Sequence, residues 1–380
     1  MRIVFYSHSS VLGNGAAESL LSIVSGLALK HNCLVITPNN GTLNTELTKR
    51  NIPNKIIPYT WSSNFNNKLK PLALRTNLRL IRFWIKNEKL NKNYLKQHLK
   101  FLKEHKPDII YTNTSVINIG AIVSKKMGVR HLWHLREFQT IENKLSPNFG
   151  WWYFKKMLCN SEIVIANSKA LKSFYCKHIP EENIEVVYNG IEIKNTDFCK
   201  LESVSYNFLM VGILMGFKGH REAVLVAKKL YDKGYDFKID IVGDGVLKKQ
   251  LQKLIVNLKL EKIITLHGQS SNVNSFYCNA DCYLMCSKTE SFGRVTVEAM
   301  LHKLPVIGRI GKYSATNEII RDGLDGLLYS NEKDLELKME YILNNKKKGV
   351  EMGLIGFERA SKEFSLKSSL KKIEQIILKS

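Results

Sequence analysis

The chain has 380 residues and a formal net charge of +23, because 57 lysine and arginine residues outnumber 34 aspartate and glutamate residues. Its hydrophobic fraction of 44% and charged fraction of 24% are those of a folded globular protein and exclude the disordered and fibrous classes. No apolar run reaches the roughly 18 residues that a membrane-spanning helix needs. We therefore expect a cytoplasmic protein with two domains of ordinary size.

The positive charge favours a polyanionic partner, which is a nucleic acid, an anionic membrane or a phosphorylated substrate. An alternative explanation is the abundance of Lys, Asn and Ile, a composition typical of proteins from AT-rich genomes. The sequence contains no helix-turn-helix, zinc-finger or RNP pattern, so we predict no nucleic-acid partner.

Short apolar segments alternate with helical patterns, which predicts an α/β fold with parallel sheets. The predicted strands of the first half are RIVFYS, CLVITP, PDIIYTNT, HLWHLRE, EIVIANS and IEVVYNGI, and those of the second half are NFLMVG, DFKIDIVGDG, IITLHGQ, DCYLMCS and LPVIGR. A polar segment near residues 190–205 separates the halves. We predict two Rossmann-like domains, 1–195 and 205–364, with a C-terminal helix at 365–380 as a candidate to pack back onto the first domain.

A glycine-containing loop, SHSSVLGNGAAES, follows the first strand and precedes a helix predicted from about Ala16 to Lys30. Glycines at the start of a helix let backbone N–H groups approach an anion, so Gly15 is a candidate binding residue for a phosphate or a substrate. A plain tight turn is the alternative. A dinucleotide fingerprint does not fit, because Glu18 occupies its third small position.

Two loops in the second half lie where open α/β sheets bind ligands, at the carboxyl ends of strands. The first, IVGDG, makes a tight turn at Gly243. The second, SKTESFGRVTVEAM, places Glu290 in a loop and begins a helix near Gly293. The N–H groups of Phe292, Gly293 and Arg294, together with the positive end of the helix dipole, form an anion site suited to a diphosphate.

Two carboxylates lie on either side of this predicted diphosphate site. Glu298 is about one turn inside the helix, where its carboxylate can accept two hydrogen bonds from the vicinal diol of a ribose. Glu290, on the other side, can contact a second hydroxyl-rich sugar. A diphosphate between two sugars is a nucleotide-sugar.

The spacing of Glu290 and Glu298 resembles the E-x7-E motif of the retaining GT-B glycosyltransferases, in particular glycosyltransferase family 4, the group 1 glycosyltransferases. Further similarity lies in GNGAAE, EIVIANS, VVYNGI, VGILMGFKGH, IVGDG and NEIIRDGLDGLLY. The resemblance implies two Rossmann-like domains with parallel sheets facing across a cleft. It also implies retaining transfer of a sugar, without a metal ion or a cofactor, from a nucleotide-diphosphate-sugar to an acceptor. The expected nucleotide is uridine diphosphate, and the expected acceptor is a cell-envelope polysaccharide or a lipid-linked saccharide.

By position in the family motifs, Lys218 neutralises the diphosphate, Glu298 binds the ribose and Glu290 is a catalytic residue that contacts the donor sugar. A solvated surface lysine is the alternative for Lys218. The remaining predicted donor-binding residues are Gly15, Gly243, Phe292, Gly293, Arg294 and Val295.

The resemblance also assigns a catalytic role to His134, in LWHLREF, where the family often has a histidine that contacts sugar and acceptor. His131 competes for this role, and a hydrogen-bonded core histidine is the alternative reading of His134. Glu137, close by in the sequence, is interpreted as a salt-bridge partner of Arg136.

The sequence departs from the family at two places. Ile213 replaces the arginine that follows the glycine of the family's Gly-Arg-Leu segment, and Arg294 and Lys312 are the candidates to replace that cation. The glycine pair that usually precedes Glu318 is replaced within GKYSATNE, which leaves the donor-sugar contacts there open.

A basic segment, Lys68–Lys106, has apolar residues at helical spacing and predicts a basic amphipathic helix. These apolar residues are Leu74, Leu78, Ile81 and Ile85, with Phe83 and Trp84 beside them. Such a helix can dock on anionic lipid headgroups, and GWWYFKK at Gly150–Lys156 is a second candidate contact. The alternative is that both apolar faces pack on the sheet. Membrane docking places the protein on the inner face of the plasma membrane.

Two other functions compete with sugar transfer. A nucleotide-sugar epimerase of the GT-B type is the first, and the E-x7-E motif disfavours it. A basic nucleic-acid-binding protein is the second, and only the net charge favours it.

Overall fold

The computed structural model describes residues 1–65, 74–139, 141, 145–192 and 205–379. The chain divides into two compact units, one formed by Met1–Gly190 with Leu366–Ser380 and the other by Ile191–Ser365. Each unit contains a parallel sheet whose strands alternate with helices along the chain. The predicted α/β class of fold, with two parallel sheets, is confirmed.

The first unit contains a parallel sheet of seven strands. The strands described in this unit are β1 (Arg2–Ser7), β2 (Asn32–Thr37), β3 (Asn54–Ile56), β4 (Ser63–Phe65), β5 (Ile109–Asn113), β6 (Arg130–Leu135), β7 (Leu145–Pro147), β8 (Ile163–Ala166) and β9 (Ile184–Val186). The sheet order is β3-β2-β1-β5-β6-β8-β9, and β4 pairs with β7 as a separate antiparallel ribbon. Consecutive residues Ile3–Tyr6 of β1 are all buried, as expected for a parallel strand covered on both faces.

Helices connect these strands. Those described in the first unit are α1 (Gly15–Leu27), α2 (Thr42–Lys49), α3 (Leu74–His105), α4 (Ile119–Met127), α5 (Gly150–Leu158) and α6 (Lys169–Tyr175). Helix α1 buries Leu20, Ile23, Val24 and Leu27, whose spacing of three and four residues places them on one face. This face joins the core that also contains Ile3 and Phe5 of β1.

The second unit contains a parallel sheet of six strands. The described elements are β10 (Tyr206–Val211), α7 (His220–Asp232), β11 (Phe237–Val242), α8 (Lys248–Asn257), β12 (Ile264–Gly268), α9 (Val273–Asn279), β13 (Cys282–Met285), α10 (Arg294–Leu301), β14 (Val306–Arg309), α11 (Thr316–Ile319), β15 (Gly326–Tyr329), α12 (Glu332–Asn344) and α13 (Lys346–Glu363). The sheet order is β12-β11-β10-β13-β14-β15.

Both sheets reverse their strand order at a central position. In the first unit the chain moves from β1 outward to β2 and β3 and then returns to β5 on the other side. In the second unit it moves from β10 to β11 and β12 and returns to β13. Loops at the carboxyl ends of the two strands that flank such a reversal diverge and leave a crevice, the usual ligand site of open α/β sheets.

The C-terminal helix, α14 (Leu366–Leu378), belongs to the first unit. It contacts α1 where Gly26 has no side chain, since a Cβ atom at that position would lie 2.2 Å from Leu370 Cδ1. Three isoleucines of α14, Ile373, Ile376 and Ile377, are buried in the same core as α1. Full burial of such side chains stabilises a fold by about 1.5–3 kcal/mol each.

The structure also contains elements that the sequence analysis did not predict. They are the edge strands β3 and β15 and the β4–β7 ribbon, and three of these four strands have only three residues. Runs this short carry no clear periodicity. Helix α1 ends at Leu27, three residues before the predicted end. Of the helices in the described part of the chain, none combines the length and apolarity that crossing a membrane requires.

Candidate functional site

The crevice of the second unit brings together Lys218 and Glu290. Lys218 follows β10 and Glu290 follows β13, the two strands that flank the reversal of strand order. Lys218 Nζ lies 2.7 Å from Glu290 Oε2, and the two side chains are only 20% and 14% exposed. Lys218 is therefore not a solvated surface lysine but one half of a largely desolvated ion pair.

Glycines set the position of the loop that carries Lys218. Gly219 has φ +76, and a Cβ atom there would lie 2.1 Å from the carbonyl oxygen of Cys286, at the end of β13. Gly243, after β11, has φ +145, and a Cβ atom there would lie 1.9 Å from the carbonyl oxygen of Gly212. Because both positions lack a side chain, the loops after β10, β11 and β13 approach one another at backbone distance.

Glu290 is held by its own backbone. Its N–H donates to the carbonyl oxygen of Tyr313 at 3.0 Å, and its carbonyl oxygen accepts from Ala315 N at 2.8 Å. Its side chain lies beside the start of α10, because a Cβ atom on Gly293 would lie 3.3 Å from Glu290 Cγ. The ammonium of Lys218 therefore lies near the N-terminus of α10, where the helix dipole also favours an anion.

Glu298 lies one turn inside α10, as predicted. Its Oε1 lies 3.6 Å from Arg294 Nη2, one helical turn earlier on the same face. Its Oε2 accepts a hydrogen bond of 3.1 Å from the hydroxyl of Tyr277, on α9. Tyr277 is buried, and burial, with a smaller contribution from Glu298, raises its pKa well above the usual value. The tyrosine therefore remains a hydrogen-bond donor that orients the carboxylate.

Sequence reasoning missed Tyr277, because a tyrosine in a short helix carries no motif. Three other neighbours of the site are His220, Val295 and Phe292. Burial, with a contribution from Lys218, lowers the pKa of His220 to about 4, so this imidazole is neutral at physiological pH. The main-chain oxygen of Val295 lies 3.4 Å from the hydroxyl of Tyr277, and Phe292 is buried against Phe364.

The cation that replaces the family arginine remains a prediction, but the two candidates differ. Ile213 is 50% exposed. Arg294 is largely buried and reaches the carboxylate of Glu298. Lys312 is exposed, with its ammonium over the ring of Tyr313. Arg294 is the better candidate, because it lies at the N-terminus of α10.

The first unit contains a separate buried polar cluster at the carboxyl ends of β5 and β6. His134 is 1% exposed, and its Nδ1 lies 2.5 Å from the hydroxyl of Tyr111 and 3.3 Å from Arg136 Nη2. Burial, with a contribution from Arg136, lowers the pKa of His134 well below its usual value, so the ring is neutral. The Nδ1 contacts are those of a hydrogen-bonded core histidine, whereas Nε2 is buried and has no hydrogen-bond partner in the described part of the chain. The catalytic role of His134 stays a prediction, and His131 is equally buried, between Thr112 and Ser161.

Glu137 accepts hydrogen bonds from Ser115, from the backbone N at 2.7 Å and from Oγ at 2.6 Å, and burial raises its pKa. The guanidinium of Arg136 donates instead to Asn113 and Asn189. Glu137 therefore holds the loop after β5, and Arg136 connects the end of β5 to the segment after β9.

Two loop residues complete the first unit. Sequence reasoning missed His8, at the end of β1, whose pKa is lowered to about 4 by burial and by Arg136. Gly15 is the first residue of α1, which Asn14 caps by accepting from Ala17 N at 2.9 Å. The carboxylate of Glu18 accepts a hydrogen bond of 3.0 Å from Gly13 N, so this N–H of the loop already has a partner. The role of Gly15 in binding remains a prediction.

Comparison with known proteins identifies the class. The model of Glycosyltransferase Family 4 matches residues 13–195, and the model of Glycosyl transferases group 1 matches residues 200–358. An uncharacterized glycosyltransferase of Methanocaldococcus jannaschii is 32% identical over 259 residues, which cover 67% of this chain and 68% of the relative. The alpha-monoglucosyldiacylglycerol synthase of Acholeplasma laidlawii is 23% identical over 387 residues, covering 91% of this chain and 89% of the relative.

Solved structures agree on the fold. HepE of Anabaena, solved in complex with UDP, has a TM-score of 0.79 and 20% identity, with complete coverage (100%) of both chains. The chain therefore belongs to the glycosyltransferases with the GT-B fold. Neither the epimerase nor the nucleic-acid-binding alternative is favoured by these similarities.

Proposed function

We propose that the protein is a retaining glycosyltransferase of family 4 that uses a uridine-diphosphate sugar as donor. The observation that carries this proposal is the convergence of Lys218, Glu290 and the N-terminus of α10, with Glu298 one turn away. In this proposal the diphosphate binds at Lys218 and the N-terminus of α10. The ribose on one side of the diphosphate then extends towards Glu298, and the donor sugar on the other side extends towards Glu290.

Each charged group has a distinct role in this proposal. Lys218 exchanges part of its interaction with Glu290 for the diphosphate, whose negative charge increases as the glycosidic bond breaks. Glu298 binds the ribose diol, with Arg294 beside it as a second cation for the phosphates. Glu290 accepts hydrogen bonds from the donor sugar. Gly243 lets the loops after β10 and β11 approach each other, and a donor-binding role of Gly15 rests on the family resemblance alone.

The reaction breaks the bond between the anomeric carbon and the leaving diphosphate and forms a bond from that carbon to an acceptor hydroxyl on the same face. The acceptor proton passes to the departing phosphate oxygen. We assign the stabilisation of the leaving group to Lys218 and the helix N-terminus, so the proposed reaction requires no metal ion and no cofactor. A neutral His134 acts in this scheme only by hydrogen bonding to sugar or acceptor.

For the acceptor we propose a lipid-linked saccharide or a cell-envelope polysaccharide, and we place the enzyme at the inner face of the plasma membrane. The names of two relatives support this choice, since one synthesises alpha-monoglucosyldiacylglycerol and another is a poly(ribitol-phosphate) alpha-N-acetylglucosaminyltransferase of Staphylococcus aureus.

A thermal-shift screen of nucleoside diphosphates and their sugars tests the donor. A ligand present at a hundred times its dissociation constant stabilises the folded state by about 2.7 kcal/mol, so UDP should raise Tm measurably whereas uridine alone should not. If no nucleoside diphosphate raises Tm, the proposed site is wrong. NMR of the product's anomeric carbon then tests retention, and an inverted configuration would contradict it.

Tyr277→Phe tests how Glu298 is positioned. Loss of a hydrogen bond to a charged group costs about 1.5–3 kcal/mol, and part of that loss should appear as a several-fold weaker binding of UDP, measured by calorimetry. In the Glu298→Ala background the same change should have no further effect on UDP affinity, because the orienting contact is already lost. Tyr206→Phe, which removes a hydroxyl that donates to Asp281, is the matched control. Equal loss of affinity in both backgrounds would contradict the positioning role.

A further inference from the structure

Helix α3 presents an exposed apolar stripe that the core does not use. The predicted stripe includes Leu78, Ile81 and Ile85, at spacings of three and four residues. Leu78 is 44% exposed and Ile85 is 54% exposed, and Ile81 between them is half-buried, so these two ends of the stripe do not pack on the sheet. The face that is buried instead carries Trp84, Asn87, Asn91, Leu95, His98 and Leu102. Residues 68–73 of the predicted segment lie outside the described part of the chain.

Helix α5 extends this surface. The rings of Trp84 and Phe149 lie 5.5 Å apart, and the hydroxyl of Tyr153 lies 3.5 Å from Glu88 Oε2. On α3, the row formed by Trp84 and Glu88 adjoins the row formed by Ile81 and Ile85. Helix α5 therefore packs beside the exposed stripe, and its own Trp152 is 74% exposed.

Basic residues accompany three exposed apolar residues of this surface. Arg82 follows Leu78, Lys89 follows Ile85 and Lys156 follows Trp152, each four residues later and so one helical turn away on the same face. The ammonium of Lys156 lies 5.5 Å from the centroid of the Trp152 ring. Helix α3 as a whole carries nine basic residues against Glu88 and Glu104.

This pattern distinguishes a lipid surface from a protein partner. The core of a protein interface is depleted in charged residues, and lysine is depleted across the whole interface. At a bilayer surface, by contrast, apolar side chains enter the acyl boundary while the long lysine and arginine side chains extend to the headgroups. Indole rings also favour the interface between headgroups and acyl chains.

We propose that α3 and α5 together form a docking surface for an anionic lipid bilayer, with Ile85 and Trp152 inserted at the boundary between headgroups and acyl chains and Arg79, Arg82, Lys86 and Lys89 paired with lipid phosphates. The inference adds the docking surface to the proposed function. It is tested by vesicle binding, so its failure would leave the nucleotide-sugar proposal intact.

The test is co-sedimentation of the full chain with vesicles of phosphatidylcholine alone or of an equal mixture with phosphatidylglycerol. A basic residue near an anionic surface contributes roughly a fivefold factor in partitioning, so changing Arg79, Arg82, Lys86 and Lys89 together to Gln should weaken binding to the anionic vesicles by at least about a hundredfold. The control changes four exposed lysines of the second unit, Lys249, Lys253, Lys259 and Lys262, to Gln and removes the same charge. It should bind as wild type does.

A second pair of variants separates insertion from charge. Trp152→Ala should weaken binding at high salt more than Leu337→Ala, which removes an exposed apolar side chain of the second unit. Equal binding of wild type to neutral and anionic vesicles would overturn the proposal. Equal losses of vesicle binding in the two fourfold variants would also overturn the proposal, because binding would then depend on the net charge and not on the surface of α3. If wild type is retained on RNA or DNA but not on vesicles, the partner is a nucleic acid and the proposal fails.

Discussion

Glu298→Ala is expected to weaken the binding of UDP by roughly ten- to a hundredfold, because a hydrogen bond to a charged group contributes about 1.5–3 kcal/mol. The carboxylate is already oriented by Tyr277 and Arg294, so the ribose diol meets a preorganised acceptor. Calorimetric titration with UDP measures the loss.

A comparison of nucleotides shows whether the loss arises at the ribose. Wild type should bind UDP more tightly than its 2′,3′-dideoxy analogue, whereas Glu298→Ala should bind the two equally. Glu336→Ala, which removes a carboxylate paired with Lys233 on the far helix pair α7 and α12, is the matched control and should keep the wild-type preference. If Glu298→Ala still distinguishes the two nucleotides, Glu298 does not bind the ribose.

Glu290→Ala is expected to lower kcat by roughly ten- to a hundredfold without weakening the binding of UDP, since its proposed partner is the donor sugar and UDP has none. In the free protein Glu290 pairs with Lys218, and a diphosphate must compete for that ammonium. Removal of the carboxylate should therefore leave UDP affinity unchanged or increase it.

The measurement separates two quantities that a purely structural role would change together. UDP affinity is measured by calorimetry and turnover by release of UDP in the presence of donor and acceptor. Lys218→Ala, unlike Glu290→Ala, should cause a large loss of UDP affinity. A parallel fall in UDP affinity and kcat for Glu290→Ala would argue that the pair with Lys218 only holds the loops together.

Much of the candidate site was predictable because its residues follow local patterns. A buried strand, a loop with a glycine and a helix that begins with an apolar stripe place Glu290 and Glu298 relative to α10 without any long-range information. Backbone geometry alone makes the spacing of seven residues meaningful, since it puts one carboxylate before the helix and the other one turn inside it. The fold class followed in the same way from the alternation of strands and helices.

Long-range packing determined the partners of the two carboxylates. Tyr277 reaches Glu298 from another helix, and Glu290 is fixed by the backbone of residues 313–315, partners that no local pattern indicates.

Burial of two side chains was also not predictable from the sequence. His134 occurs in a sequence context that favours catalysis, yet its strand lies inside the sheet and the ring is desolvated. The apolar stripe of α3 was visible in the sequence, but only the packing of the helix shows that its Trp84 face is buried and its Ile85 face is not. The sequence by itself therefore determined the local elements and the spacing of the two carboxylates. The tertiary structure alone decided which polar groups pair and which apolar groups stay exposed, because both depend on contacts between residues far apart in the chain.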